Sequence, residues 1–233
     1  MTILVDPQGW GEALLPDIHQ ILLSVYRVFI PCFQETMNLH DVLIVHSADH
    51  PVTYRSQGVI LLSAHDRFWC KYAYQFAHEL CHFQIPAKVP QQLRWFEESL
   101  CELASYYFLP RISALWKTNP PYPNWRTYAD HFTTYVQNDM QKAESFNLSL
   151  LDNPSVFEHL NRDEYDRKKN SYVALQLLPI FENASDLWSA IHLLSDIPDG
   201  LSLADSLRHW HSLTPEKHRN SIRQILQVFS IEI

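Results

Sequence analysis

An α+β fold is expected for this chain of 233 residues, on three observations. Two β-branched runs, Asp41–His46 (DVLIVH) and Gly58–Ser63 (GVILLS), stand in its first third. Longer stretches with apolar residues at spacings of three and four follow them. Only four Gly stand against 14 Pro, which suits helices and proline-stopped loops better than a glycine-rich barrel.

Taken in order, Thr2–Val5 reads as a short strand and Glu12 to about Glu35 as a helix limited by Pro16 and Pro31. The strands Asp41–His46 and Gly58–Ser63 follow. From Phe68 to Phe83 there is no Pro or Gly, and Tyr72, Phe76, Leu80 and Phe83 mark one apolar helix face. Pro86 and Pro90 end that helix, and Gln92–Leu109 reads as a second helix stopped by Pro110. The remainder reads as all-helical. Lys117–Pro123 is a loop, Trp125 to about Glu144 a helix, and Asn170–Phe181 another that ends near Pro179 or runs past it. Arg162–Lys169 is a mixed-sign run suited to a solvated helix or loop. Ser185 is expected to cap Asp186–Leu194, Pro198–Gly200 to turn, and Ser202–Trp210 to be helical. Thr214-Pro215-Glu216 opens a last helix to Phe229.

Composition narrows the function classes. With 46% hydrophobic and 13% aromatic residues the chain has ample material for a packed core. Its formal net charge of −8 argues against nucleic-acid binding, which relies on concentrated Lys and Arg. The start, Met1-Thr-Ile-Leu-Val-Asp, lacks a basic region before a long apolar core, and no apolar run has the length of a membrane span. A cytoplasmic protein with no membrane partner is expected. The four cysteines lack the spacing of a small secreted scaffold and read as reduced thiols used in packing.

The chemistry concentrates in His78-Glu79-Leu80-Cys81-His82, an HExxH motif. Residues four apart on a helix lie nearly above one another, so both imidazoles can reach one Zn²⁺ while Glu79 takes a proton from water. Roughly 0.04 such motifs are expected by chance in a chain of this composition, so the motif needs its helical context to carry weight. A catalytic zinc takes three protein ligands and leaves one position open. The metzincin spacing fails, because Ile85 and Lys88 stand where that pattern requires Gly and His. A thiolate ligand is conceivable, since Cys70, Cys81 and Cys101 all lie on the two helices. On the second helix stands Trp95-Phe96-Glu97-Glu98-Ser99-Leu100-Cys101-Glu102, with Glu97 and Glu98 both available as carboxylate donors.

HExxH followed by Trp95-x-x-Glu98-x-x-x-Glu102 resembles the gluzincins, the zinc peptidases of the thermolysin and aminopeptidase type. The resemblance implies a zincin-like fold, with a small mixed sheet and active-site helix pair followed by an all-helical C-terminal lobe. Residues 1–110 would be the zincin-like lobe and residues 111–233 the helical lobe closing the active-site cleft, packed as one unit. It implies one Zn²⁺ per chain held by His78, His82 and Glu98, with Glu102 supporting a ligand histidine and Glu97 facing solvent or the cleft. It also implies a sheet-edge strand that pairs with substrate, a place that Gly58, Val59, Ile60 and Leu61 occupy. An oxyanion donor from the second lobe points to Tyr172 or Tyr165, for each of which a packing role stays equally open. The chain departs from the pattern in having only 15 residues between His82 and Glu98, and in carrying Ser99 after the ligand. The expected activity is hydrolysis of a peptide or protein substrate, with Glu79 as general base. The alternatives are a catalytically silent metal-binding or interaction protein, and a zinc hydrolase of a non-peptide amide.

Overall fold

Four short strands, β1 (Ile3–Val5), β2 (Val42–His46), β3 (Val52–Tyr54) and β4 (Val59–Leu62), form one sheet in the order β1-β2-β4-β3. The first three in that order run parallel, and β3 pairs antiparallel with β4. Strand alternation puts Ile3, Val42, Ile44, Ile60 and Leu62 into the core while Leu4 and Leu43 stay exposed. The remainder is mostly helical, so the α+β class holds. The computed structural model describes residues 1–33, 38, 40–152 and 154–233.

Two differences from expectation concern the site directly. β3 is an additional strand, only three residues long and set between Pro51 and a turn. Because it pairs on the far side of β4, β4 has neighbours on both sides. Gly58–Leu61 is therefore not an edge: Gly58 O accepts from Leu43 N at 2.8 Å, and Val59 to Leu61 are in register with both β2 and β3. A strand with both rows of peptide groups already bonded has none left for substrate. The edge on this side of the sheet is Val52–Tyr54.

The helices are α1 (Leu15–Phe33), α2 (Trp69–Gln84), α3 (Arg94–Thr118), α4 (Ala129–Met140), α5 (Pro154–Arg162), α6 (Arg167–Asn183), α7 (Leu203–Leu213) and α8 (Glu216–Val228). The expected end of the first helix at Glu35 lies outside the described residues. α3 passes through Pro110 instead of stopping there. The proline lacks the N–H that the Tyr106 carbonyl would accept, yet it sits at a less buried position, and Phe108, Leu109, Ile112 and Trp116 around it are buried. That packing outweighs the local penalty. Arg111 helps, donating from Nη1 to the Tyr107 carbonyl at 2.7 Å with its guanidinium 3.3 Å over the Tyr107 ring.

Other boundaries moved for local reasons. Residues Pro123–Tyr128 form a 3-10 turn before α4, and α6 begins at Arg167 because Asp166 caps it, accepting from Lys169 N. α6 runs on past Pro179. Ser185–Asp196 is 3-10 helix without the side-chain cap expected of Ser185. Ser202 does cap α7, accepting from Asp205 N at 3.0 Å. α5 was not foreseen from periodicity. Among the described residues, no helix is long and apolar enough to cross a membrane.

Contacts divide the chain into two units. The first is Met1–Pro31, Met37–Gln84 and Ala104–Asp139; the second is Cys32–Thr36, Ile85–Leu103 and Met140–Ile233. In the first unit Trp116 packs against Trp125 and Phe132 and donates to Ser24 Oγ at 3.0 Å. Tyr74 and Tyr106 both donate to Asp139 Oδ2, at 2.8 and 3.0 Å. In the second, Phe96 packs edge-on against Trp95, Trp210 and Phe229. All four cysteines are buried, and none forms a disulfide.

Burial also sets an acid limit. Desolvation is the main cause that pulls His46, His211 and His218 below the ordinary histidine value of 6.5. The folded chain thus prefers these rings neutral, whereas the unfolded chain protonates them near 6.5. Their contribution to stability is present above pH 6.5 and is lost as pH falls through the folded values. The carboxylates held low, Asp41, Asp66, Asp166 and Asp205, add their own loss only below their ordinary 3.8. Urea midpoints are expected to be level between pH 7 and 8 and to drop between pH 6.5 and 5, with a smaller drop in His218→Gln. An unchanged midpoint at pH 5 would contradict this assignment.

Candidate metal centre

The site grows from α2. Of its 16 residues, 13 are buried, and the three that are not are Lys71, His78 and His82. The helix is thus walled in except along a stripe that carries both histidines. Spacing by four places the two rings side by side, with centroids 5.1 Å apart and planes at 62°. Their ligand nitrogens come within 4.8 Å of one another. Two neutral imidazoles at that separation are a fitting donor pair for one divalent ion, which would draw each nitrogen to about 2.0–2.1 Å.

Glu79 lies outside that exposed stripe. Only 4% exposed, it is met by Thr53 of β3, whose hydroxyl lies 2.8 Å from Oε2 and 2.9 Å from the Glu79 carbonyl. A hydroxyl has one proton, so these two acceptors share it. The helix is tied to the end of β4 as well. Gln75 Nε2 donates to Ser63 Oγ at 2.9 Å, its Oε1 accepts from Ser63 N at 3.0 Å, and Lys71 Nζ donates to the Ser63 carbonyl at 3.0 Å. At its other end, Asn38 Nδ2 donates to the Phe83 carbonyl. Arg55, in the turn after β3, donates from Nε to the His82 carbonyl at 2.8 Å and places Nη2 3.3 Å from His82 Nδ1.

The carboxylates of α3 belong to the second unit. Glu98 is partly buried, while Glu97 is 5% exposed, so of the two places expected for Glu97, solvent or the cleft, solvent is not met. The reason is helix geometry: one residue of offset turns Glu97 about 100° from Glu98, into packed surroundings. Glu102 accepts from Ser171 Oγ at 3.2 Å. Ser99 lies 2.9 Å from the Trp95 carbonyl and 3.3 Å from Asn170 Oδ1, and Arg94 pairs with Glu164 at 3.8 Å. These contacts seat the start of α3 on residues 164–171. They also separate the two tyrosines. Tyr165 carries its hydroxyl beside Glu164 and Glu98, and desolvation followed by those two carboxylates pushes its phenol up to about 12, although the ring as a whole is exposed. Tyr172 instead packs its ring on Phe146 at 5.6 Å.

The structure therefore brings His78 and His82 together, sets Thr53 of β3 against Glu79, and puts the Tyr165 phenol within electrostatic reach of Glu98. Thr53 and Arg55 were missed by sequence reading; the only signal was a Val-Thr-Tyr run too short to read as a strand. A second grouping, His159, Asp163 and Asp166, is largely exposed, and Asp166 is already engaged by Lys169 Nζ at 2.5 Å. Comparison of the chain with protein-family models, curated proteins and solved structures gives no match.

Thr53→Val removes the hydroxyl facing a buried carboxylate. It is expected to lower unfolding free energy by about 1.5–3 kcal/mol, the range for hydrogen bonds to charged groups, read by urea denaturation. A loss below about 0.5 kcal/mol would mean that Glu79 is met equally well by other groups.

Proposed function

We propose that the chain is a zinc-dependent peptidase of gluzincin type with a zincin-like fold. The observation that carries this reading is the α2 stripe: two imidazoles on one face with the HExxH carboxylate held between helix and sheet edge. His78 and His82 would be two ligands. Glu98 is proposed as the third on its sequence register with Trp95 and Glu102, the latter one helical turn further on. Cys101, three residues beyond Glu98 on the same helix, is the alternative third donor. Zn²⁺, when bound, supplies a Lewis acid that acidifies water to near neutral pH and polarises a carbonyl.

The protein's own residues have separable tasks. Glu79 holds a proton taken from water and passes it to the leaving amine, and the Thr53 contact fixes its carboxylate for that transfer. β3, the strand at this edge of the sheet, is the one to which an extended substrate would add. Tyr165 is favoured over Tyr172 as the oxyanion donor, because its phenol feels the charge of the proposed ligand Glu98. A phenol pushed up by desolvation and then by neighbouring carboxylates stays protonated and remains a donor at neutral pH.

A second reading, a catalytically silent protein that acts by interaction rather than through a tightly held ion, draws on Arg55, whose guanidinium beside His82 opposes the positive charge of an ion.

Three measurements decide between them. Metal analysis is expected to find one zinc per purified chain, falling with His78→Gln or His82→Gln. Glu79→Gln is expected to keep its zinc and to lose about 10²–10⁴-fold in peptide turnover. Turnover equal to the parent would remove Glu79 from the mechanism, and zinc without turnover in the parent on a diverse peptide library would favour the silent reading. Cobalt-substituted protein separates the third ligands, since only a Cys101 thiolate gives strong near-ultraviolet charge transfer that Cys101→Ser abolishes.

A further inference from the structure

We propose that Arg55 is a positioning residue that holds His82 in the tautomer unable to bind metal at Nε2, so that loading the site requires Arg55 to leave the ring. This rests on the zinc reading of α2 and adds a control to it.

The placement of Arg55 is set by the backbone. It opens the 3-10 turn Arg55–Gln57 between β3 and β4, which Gly58 closes at φ 65° while donating from N to Arg55 O at 3.3 Å. A Cβ at position 58 would stand 2.9 Å from Asp41 O, so both the positive φ and the crowding call for glycine there. The turn thus aims the Arg55 side chain at the last turn of α2, where Nε donates to the His82 carbonyl and Nη2 lies 3.3 Å from Nδ1.

The polarity of that second contact has one solution. A guanidinium offers five N–H donors, has no acceptor, and does not deprotonate in proteins. His82 Nδ1 must then be the acceptor, and the proton of the neutral ring resides on Nε2. Binding an ion through Nε2 requires the lone pair there, which sends the proton to Nδ1, where it would face the Arg55 N–H. Binding through Nδ1 requires the very lone pair that Arg55 occupies. Either route displaces Nη2, whereas the bond from Nε to the His82 carbonyl need not break. Histidines that ligate metals usually donate their second N–H to a carboxylate or carbonyl, which strengthens ligation. Arg55 supplies the reverse arrangement. The ion and the guanidinium compete for one ring, so anything that draws Arg55 off raises metal affinity, and the bound ion in turn releases Arg55.

The test uses the full chain with Arg55→Met, which keeps the stem, and Arg55→Lys, which keeps the charge. In the metal-free parent, imidazole ¹⁵N resonances are expected to show His82 protonated on Nε2, and Arg55→Met to shift the ring towards the Nδ1 tautomer. Competition with a chromophoric chelator is expected to show Arg55→Met binding zinc about tenfold more tightly than the parent, with Arg55→Lys close to the parent. A metal-free parent protonated on Nδ1, or equal or weaker zinc binding by a folded Arg55→Met, overturns the proposal. Zinc binding by neither protein would defeat the zinc reading instead, and the parent's tautomer still decides the role of Arg55, as it does if Arg55→Met fails to fold.

Discussion

A carboxylate that is 4% exposed, on a helix buried at 13 of 16 positions, has to be met by fixed donors, and Thr53 is the donor that joins it to the sheet. The arrangement of the first unit follows from this contact. Thr53 reaches Glu79 only if Val52–Tyr54 lies as a strand against α2, and that strand forms only by pairing with β4. Its antiparallel direction then brings the turn at Arg55 under the C-terminal end of the helix.

The same geometry sets two groups of opposite tendency on neighbouring residues of the motif. Thr53 supports the charge of Glu79, whereas Arg55 opposes any added positive charge at His82. Both come from β3 and its turn, one pointing at the base and the other at a proposed ligand. An ion at the proposed site has to compete with the Arg55 contact for His82.

Much of this was legible along the chain. HExxH announced two imidazoles on one helix face because a helix of 3.6 residues per turn allows nothing else for residues four apart. The strands at 42–46 and 59–62 showed in their β-branched runs. β3 did not, because three residues carry too little pattern. With β3 missing, β4 looked like an edge, an error about neighbours rather than about the strand itself. Pro110 misled for a related reason: its local penalty is readable, but the burial of Phe108, Ile112 and Trp116 that outweighs it is not. Tyr165 and Tyr172 looked equivalent in sequence and parted only when one came under the charge of Glu98 and the other packed on Phe146.

What the sequence determined alone was the local chemistry: which residues share a helix face, which segments extend, and that 202–210 is helical. Those features depend on neighbours within about four positions, and periodicity records them. Tertiary structure decided which strand is the edge, that Thr53 meets Glu79 across 26 positions, and that Arg55 meets His82 across 27. Such contacts come from chain reversal and burial, which bring distant residues together according to shape and solvation. No local pattern encodes that a hydroxyl and a guanidinium from one short strand and its turn converge on the two ends of the same motif.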